Sequence, residues 1–227
     1  MVNPDWSLRA SAGKGFRPPA IIERFLNLSY AGFELLPNPE LKSERAWSFE
    51  LGSRFHLTNT WVGDIAVFQN DYWDLIEPTI DITSNSVQFL NIARPRIQGI
   101  ELSSKLSFWN NHIGLDASAT IMDHEDLTTG KYLFYRPRKI LKFIPSFKWG
   151  NFDVQLEYQY MSRSDRVQVF PLDDRVPMRL WNMKMNYQWD FIRFTGGIHN
   201  LFNYNYTTRE RFLEPIRNVR LGFQVEL

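Results

Sequence analysis

The chain has 227 residues, and its 26 Lys plus Arg against 25 Asp plus Glu give a formal net charge of +1. This balance argues against a nucleic-acid-binding surface, which needs clustered cations, and the absence of cysteine excludes disulfides, thiolate metal sites and a cysteine nucleophile. No run of 18 apolar residues is present to form a transmembrane helix, and a mean hydropathy of −0.35 fits either a soluble protein or a β-barrel, in which only alternate residues face lipid.

Ten stretches alternate apolar and polar residues with a period of two, which predicts strands with one apolar and one polar face. The clearest is FDVQLEYQYM at 152–161, where Phe152, Val154, Leu156, Tyr158 and Tyr160 alternate with polar residues. No stretch predicts a helix of ten or more residues. The predicted strands are 5–15, 46–56, 60–73, 87–108, 112–123, 138–149, 152–162, 178–189, 192–200 and 217–227.

Short and long connections alternate between these strands. The short turns are 57–59, 109–111, 150–151 and 190–191, and the long links are 16–45, 74–86, 124–137, 163–177 and 201–216. This sorting predicts an all-β, antiparallel up-and-down transmembrane β-barrel, because a Greek-key sandwich has no reason to place its long loops at one end. Most strands have the length that crosses a bilayer, while 60–73 and 87–108 are longer and are expected to rise above it.

Four tryptophans lie beside the short turns, namely Trp61, Trp109, Trp149 and Trp189. Tryptophan is favoured at membrane–water interfaces, so this placement predicts an aromatic girdle at the headgroup level. The alternative for each of them is ordinary core packing.

The last strand reads NVRLGFQVEL and runs to the final residue. Its spacing resembles the assembly signal of outer-membrane barrels, with a polar residue, a glycine and two apolar residues at Arg220, Gly222, Val225 and Leu227. Leu227 departs from the phenylalanine that usually ends this signal. The resemblance implies the barrel-assembly machinery as a partner.

Four stretches in this order are similar to the C-terminal half of a TonB-dependent receptor, and they span nearly the whole chain. They are GKGFRPPAIIERF at 13–25, NPELKSERAWSFELG at 38–52, NIARPRIQGIEL at 91–102 and GIHNLFNYNY at 197–206. Within them the matching positions are Gly13, Gly15, Phe16, Arg17, Glu23, Asn38, Pro39, Leu41, Lys42, Glu44, Asn91, Gly99, Glu101, Asn200, Leu201, Phe202 and Asn203, with the tyrosine of the last motif at Tyr204 or Tyr206.

The resemblance implies a wall of about ten strands from a larger plugged barrel of about 22 strands. Residues 1–227 are then expected to be the C-terminal portion of the barrel, with the plug domain, TonB box and signal peptide absent from it. The implied function is TonB-coupled uptake across the Gram-negative outer membrane of a ferric siderophore, or alternatively of cobalamin, haem or a glycan. The implied partners are the small-molecule ligand, outer-membrane lipid and TonB, the last acting through the missing plug. No cofactor, nucleic acid or enzymatic step is implied.

Charged residues within or beside the motifs are expected to face the lumen or the plug. They are Arg17, Glu50, Arg54, Arg94, Arg96 and Glu101. Glu50 and Glu101 lie on polar faces, where Arg54 or Arg96 could pair with them. Salt bridges within the lumen wall are the alternative to a role in binding the plug.

Aromatic and arginine side chains in the long links predict ligand contacts, because stacking and charge pairing together suit an aromatic, anionic ligand. The candidates are Tyr72, Trp73, Phe134, Tyr135, Arg136, Arg163, Arg166, Arg209 and Arg211. Packing between loops at the barrel mouth is the alternative for each of them.

Two further patterns are weaker. Asp123, His124, Glu125 and Asp126 crowd oxygens and an imidazole that could hold a cation, although a solvated acidic loop explains them equally. His199 beside Asn200 invites a comparison with barrel hydrolases, but no G-x-S-x-G is present and the receptor motif accounts for Asn200. A small self-contained porin or hydrolase barrel, or a soluble β-sandwich, remain the alternative architectures.

Overall fold

The computed structural model describes residues 5–30, 32–92, 94–209 and 211–225. Its one helix is α1 (Ile21–Phe25), and within the described ranges no helix is long and apolar enough to cross a membrane. The strands are β1 (Trp6–Arg17), β2 (Leu28–Tyr30), β3 (Phe33–Leu36), β4 (Glu44–Thr58), β5 (Trp61–Trp73), β6 (Leu75–Asp81), β7 (Ser86–Ile92), β8 (Pro95–Phe108), β9 (Ile113–Asp126), β10 (Lys131–Tyr132), β11 (Lys139–Trp149), β12 (Phe152–Met161), β13 (Met178–Trp189), β14 (Ile192–His199), β15 (Thr207–Arg209), β16 (Phe212–Leu213) and β17 (Asn218–Val225).

Eleven of these strands form one antiparallel sheet, in which the short β10 pairs only with β9; the other ten form a continuous path, which we call the wall. Its order is β1-β4-β5-β8-β9-β11-β12-β13-β14-β17, so each long strand pairs with the next long strand along the chain. This order confirms the predicted up-and-down meander. In the described part of the chain β1 and β17 are the two edges, so the wall is an open segment of a barrel.

The wall has one apolar and one polar face, because residues directly opposite each other in neighbouring strands share a face. Tyr158 in β12 lies opposite Phe143 and Trp181, whereas Gln155 lies opposite Ser146 and Lys184. The same sorting holds through β17, where Phe223 is opposite Phe194. The apolar face is exposed and continuous across the sheet, which is the lipid-facing surface of a transmembrane barrel wall. The polar face therefore lines the lumen.

The four tryptophans beside the short turns lie at the same end of the wall. Their side chains are 40% to 64% exposed, and Trp109 packs against Trp149 at a centroid distance of 5.4 Å. Trp149 is opposite Phe152 on the apolar face. This arrangement is the interfacial belt of a barrel, and we call this edge of the wall the short-turn end and the opposite edge the mouth.

The prediction of one strand over 87–108 is wrong. The segment forms two strands in different sheets, β7 and β8, with residue 93 outside the described ranges. Strand β7 belongs to a separate four-stranded sheet at the mouth, in the order β2-β3-β7-β6, in which β3 and β7 are parallel. We call this the mouth sheet. Strand β5 leads directly into β6 through Asp74, whose φ of 58° breaks the ladder.

Gly99 in β8 packs directly against the backbone of β9. A Cβ built there would lie 2.4 Å from the Ile121 carbonyl oxygen and 2.9 Å from the Met122 Cα. Backbone atoms cannot move aside as a flexible side chain can, so Gly99→Ala is expected to cost about 1–3 kcal/mol of stability through overpacking. The measurement is the fraction of folded, heat-modifiable receptor on gels. Gly13→Ala is the matched control, because nothing lies within 4 Å of its Cβ position; an equal loss in both variants would contradict the prediction.

Candidate functional site

Motif residues far apart in sequence meet where the wall joins the mouth sheet. Arg17, the last residue of β1, donates from Nε and Nη2 to the two carboxylate oxygens of Glu44 at 2.6 and 2.8 Å. Its Nη1 donates to Glu23 at 3.0 Å. The Glu23 carboxylate also accepts the Ala20 backbone N–H at 2.7 Å, which caps α1. One guanidinium therefore holds the first wall strand, the short helix and β4 together.

Glu44 connects this ion cluster to the mouth sheet, because its Oε1 also accepts the Ile76 backbone N–H at 2.7 Å. The Glu44 side chain is only 13% exposed. Burial alone would raise the pKa of Glu44, but the hydrogen bonds from Arg17 and Ile76 outweigh it and hold the pKa below its ordinary value. Glu44 is therefore ionised at neutral pH. We call Arg17, Glu23, Glu44 and Asn91 the motif junction.

Asn91 closes the junction through backbone contacts. Its amide donates to the carbonyls of Lys42 and Asp74 at 3.1 and 2.6 Å, and its Oδ1 accepts the Lys42 N–H at 2.9 Å. Asn38 makes a similar bridge, donating to the Phe89 carbonyl at 2.8 Å. The motif asparagines thus satisfy backbone groups where the chain leaves the ladder, which is a structural role.

The fourth motif folds the last loop around a buried asparagine. Asn200 is 1% exposed, and its amide donates to the carbonyls of Tyr204 and Pro215 at 2.9 and 3.3 Å. Its Oδ1 accepts the Tyr204 N–H at 2.7 Å. Asn203 accepts the Arg217 N–H at 3.0 Å, just before β17 begins. The motif therefore positions the start of the terminal strand.

The polar face carries a charge cluster built around a residue that sequence reasoning missed. Arg9 donates to Glu50 at 2.7 Å and, through both terminal nitrogens, to Asp64 at 2.7 and 2.8 Å. The sequence offers Arg54, Arg96 or the plug as partners for Glu50, and in the structure its partner is Arg9. The signal for Arg9 was its position in the alternation of β1, which places it opposite Gly52 on the polar face.

The other residues that were predicted to face the lumen or the plug do not all lie on the same face of the wall. Glu101 lies opposite Ala66 and Thr120 on the polar face, and Arg54 lies opposite Asp64 there. The prediction that Arg96 faces the lumen is wrong: it shares the apolar face with Ile100, because an even separation keeps two strand residues on one side. Arg96 instead pairs with Asp71 above the apolar band. Arg94 precedes β8 and is exposed.

Several of the predicted ligand-binding side chains hold the long loops to one another. The Arg166 guanidinium stacks over Phe134 at 3.9 Å and donates to the Tyr132 carbonyl at 3.2 Å. Arg136 donates to Glu77 of the mouth sheet at 3.2 Å. Arg211 stacks over Phe170 at 3.6 Å and donates to Asp173 at 3.2 Å. Loop packing, the alternative given from the sequence, is what these contacts describe.

The other ligand candidates are spread over the mouth. Tyr72 is opposite Ala46 on the polar face, whereas Trp73 is opposite Arg45 on the apolar face. The Tyr135 hydroxyl accepts the Gln168 N–H at 3.1 Å. Arg209 ends β15, and Arg163 lines a cleft with Tyr160 beyond the end of β12. The structure does not gather the candidates into one pocket.

The Asp123–Asp126 stretch does not form a metal centre. It lies within β9, so Asp123 and Glu125 project from one face and His124 and Asp126 from the other. The described residues include no group of three or more His, Asp or Glu placed to hold an ion. Asp126 instead caps the following turn, accepting the Thr128 N–H and the Thr129 hydroxyl at 3.0 Å each. The four residues are adjacent in sequence, but the strand directs their side chains to opposite faces, so they do not converge on one point.

His124 is fully buried at the mouth, above the last outer apolar residue of β9, Ile121. Its Nε2 lies 3.1 Å from the Arg136 carbonyl, and its Nδ1 accepts the Leu133 N–H at 3.3 Å. One ring nitrogen therefore donates and the other accepts, as in the neutral imidazole. Burial lowers the pKa of His124 below its ordinary value.

This geometry predicts that the loop over 127–138 loosens in acid. The folded state disfavours protonated His124 while the open loop does not, so the stability it contributes is present above about pH 6.5 and falls as the pH drops below that value. The measurement is hydrogen exchange of the Leu133 amide between pH 7.5 and 5.5, corrected for intrinsic rates. His124→Gln keeps a donor and an acceptor without titrating and should remove the pH dependence. A flat profile in the unmodified receptor would contradict the assignment.

The terminal strand places the assembly-signal residues on both faces. Arg220 and Gly222 lie opposite Gly197 and Thr195 on the polar face, and Val225 lies opposite Ile192 on the apolar face. Leu227, with the end of the predicted strand over 217–227, lies outside the described residues. Recognition by the assembly machinery stays a prediction.

The chain resembles known proteins over most of its length. A family model described as TonB dependent receptor-like, beta-barrel, matches residues 1–201. The vitamin B12 transporter BtuB of Vibrio vulnificus is 27% identical over 217 residues, which is 93% of this chain and 32% of the relative. The chain thus spans about a third of the length of that relative.

Solved structures of low sequence identity share the fold. The copper transporter OprC superposes with a TM-score of 0.81 at 17% identity, over 98% of this chain and 37% of that one. The siderophore receptor PirA from Acinetobacter baumannii superposes with a TM-score of 0.74 at 19% identity, over 98% of this chain and 39% of that one. These two and BtuB are named for different cargoes.

Proposed function

The chain belongs to the TonB-dependent receptor family, whose β-barrel model covers residues 1–201, and we propose that it forms the C-terminal part of an outer-membrane receptor barrel that takes up a scarce nutrient. The nutrient enters from outside, and TonB supplies the energy through a plug carried by the rest of the receptor. Residues 1–227 supply the wall and the loops. The wall makes and breaks no covalent bond.

One observation carries this proposal: the wall has a continuous apolar face and a polar face with fixed charges. Arg9 holds Glu50 and Asp64 on the polar face, and the Lys142 ammonium lies 3.5 Å from Glu157 farther along it. A lumen lined by charges that already have partners offers a polar surface to a movable plug without binding it irreversibly. This is the surface that a plugged transporter needs.

At the mouth, the same chain presents ordered loops. Contacts between Arg166 and Phe134, and between Arg136 and Glu77, join the loops after β9 and β12 to the mouth sheet. Loops that are already packed lose little conformational freedom when a ligand binds, so they suit selective capture at low concentration. The residues that touch the ligand are then those left accessible around this packing, with the exposed Arg209 and the partly exposed Tyr72 the first to test.

A ferric siderophore is the first cargo to test. The mouth is rich in arginine and aromatic residues, and these suit an anionic metal chelate with aromatic groups. The siderophore receptor PirA, which shares the fold, is named for such a cargo. Cobalamin is the second candidate, because the relative that matches 93% of the chain is named a vitamin B12 transporter.

The test is growth after deletion of the complete gene from its native host. Cells are given iron as defined ferric siderophores in one series, and limiting cobalamin in the other. Loss of growth on one cargo, restored by the complete gene on a plasmid but not in a strain without TonB, supports coupled uptake of that cargo. Unchanged growth and unchanged uptake of every cargo in the deletion strain would contradict the proposal.

A further inference from the structure

A cleft of about 490 Å³ lies at the upper border of the apolar face. It is lined by Ile121 and Lys139, which are opposite each other on that face, and by Tyr160. Tyr160 is opposite Leu141, directly above the pair formed by Phe143 and Tyr158. Ile121, Lys139 and Tyr160 therefore place one side of the cleft on the apolar face, at the height where the acyl chains end. We call it the rim cleft.

The rim cleft is cationic. Arg138, Lys139, Arg163 and Arg175 line it, and Arg179 lies next to it, opposite Tyr160. The acids there are Asp165, in the lining, and Asp123, and these lie 3.9 and 3.5 Å from the Arg138 guanidinium. Five cations against two carboxylates leave a positive excess beside the membrane.

These cations differ from others at the same border. Arg45 pairs with Asp74 at 2.9 Å, and Arg96 pairs with Asp71. By contrast, the side chains of Lys139, Arg163 and Arg179 have no ion pair or hydrogen bond within the part of the chain that the structure describes. A cation that is already paired with a carboxylate of the protein needs no other anion. An unpaired, exposed cation in a cleft favours the binding of an anion from outside the protein.

From this arrangement we infer that the rim cleft binds the phosphate headgroup of a membrane lipid. The phosphate lies among Lys139, Arg163 and Arg179, and the acyl chains run down the apolar face over Leu141 and Phe143. Tyr160 marks the interface, where a ring with a polar tip is favoured. Clustered Lys and Arg side chains beside a membrane surface are a general means of attracting anionic lipid headgroups. The inference rests on the transmembrane wall and is independent of the cargo.

The test uses the complete receptor in nanodiscs made of phosphatidylglycerol, or of phosphatidylcholine with the same acyl chains. Native mass spectrometry then counts the lipids that stay bound after release. We expect phosphatidylglycerol to be retained and the triple variant Lys139→Gln, Arg163→Gln, Arg179→Gln to reduce its retention roughly 100-fold, since each of the three cations contributes roughly fivefold near an anionic surface.

The matched control removes three cations from the polar face instead, by Lys105→Gln, Lys142→Gln and Lys184→Gln. It changes the net charge equally but should keep the lipid, and heat-modifiable migration on gels checks that both variants fold. If the triple variant does not fold, Arg163→Gln and Arg179→Gln are measured singly. Retention unchanged by the rim variants, or lost equally in the control, overturns the inference.

Inorganic phosphate distinguishes the two sources of a phosphate group. If the free ion displaces phosphatidylglycerol at the same concentration at which it binds alone, the cleft is an ion site and the lipid assignment is overturned. Lipid retention does not depend on uptake, so a failure here is distinguishable from a failure of the growth experiment.

Discussion

Replacing Arg17 with alanine is expected to detach the mouth sheet from the wall. The substitution leaves the Glu44 and Glu23 carboxylates, which are only 13% and 12% exposed, without their cation. Hydrogen bonds between charged groups of this kind contribute about 1.5–3 kcal/mol, so a local loss of about 2–3 kcal/mol is expected. Hydrogen exchange over 75–92 in the complete receptor should then accelerate roughly 30-fold to 150-fold, as that loss implies.

Arg45→Ala is the matched control for this prediction. Arg45 lies in β4 next to Glu44 and forms one ion pair with Asp74, but its side chain is 59% exposed. An exposed single pair contributes at most about 1 kcal/mol, so exchange should change little. Equal acceleration in both variants would mean that the junction has no special role. Unchanged exchange in Arg17→Ala would mean that Glu44 and Ile76 hold the sheet by themselves.

Asn200→Ala is expected to unfold the last loop and disturb the start of β17. Asn200 combines three side-chain hydrogen bonds with a φ of 53°, a conformation that favours glycine and asparagine. Losing the hydrogen bonds and placing alanine in the left-handed conformation should together lower the free energy of unfolding by about 3 kcal/mol. Hydrogen exchange over 200–209 and 211–217, and the yield of assembled barrel, measure the effect.

Two further substitutions separate the causes. Asn200→Gly keeps the left-handed backbone at low cost and loses only the hydrogen bonds, so it should be milder than alanine. Asn110→Ala changes an exposed turn residue with a similar φ of 52°. It should affect neither the last loop nor the yield by more than a small amount. If Asn110→Ala reduced the yield as much as Asn200→Ala, backbone strain alone would explain the result.

The alternation in the sequence predicted nine of the ten wall strands as separate strands, because a strand between lipid and lumen must change polarity at every residue. The same signal failed at 87–108. The alternation of apolar and polar residues continues from β7 into β8, although the two strands belong to different sheets. Alternation shows which residues share a face, but it does not show which neighbouring strand each segment pairs with. The parallel pairing of β3 with β7 joins segments about 50 residues apart, and such a contact leaves no local pattern.

The site was predicted less well than the wall, for two physical reasons. The contacts of the motif residues with backbone groups, such as that of Asn91 with the Lys42 carbonyl, depend on how the chain turns after the ladder ends, and the sequence pattern does not give that turn. The arginines of the long loops were assigned to a ligand by their chemistry alone. Residue type does not distinguish Arg166, which stacks on Phe134, from an arginine that is free to bind.

The strict alternation of β12 also limits how this sequence can vary over evolution. Inserting one residue after Leu156 would exchange the faces of everything above it, turning Glu157 and Gln159 toward acyl chains and Tyr158 toward the lumen. Insertions or deletions in the loop over 162–177 change no face of any wall strand. Selection should therefore leave strand lengths nearly fixed among descendants of this gene while loop lengths diverge freely, so new cargo specificities can arise without rebuilding the wall.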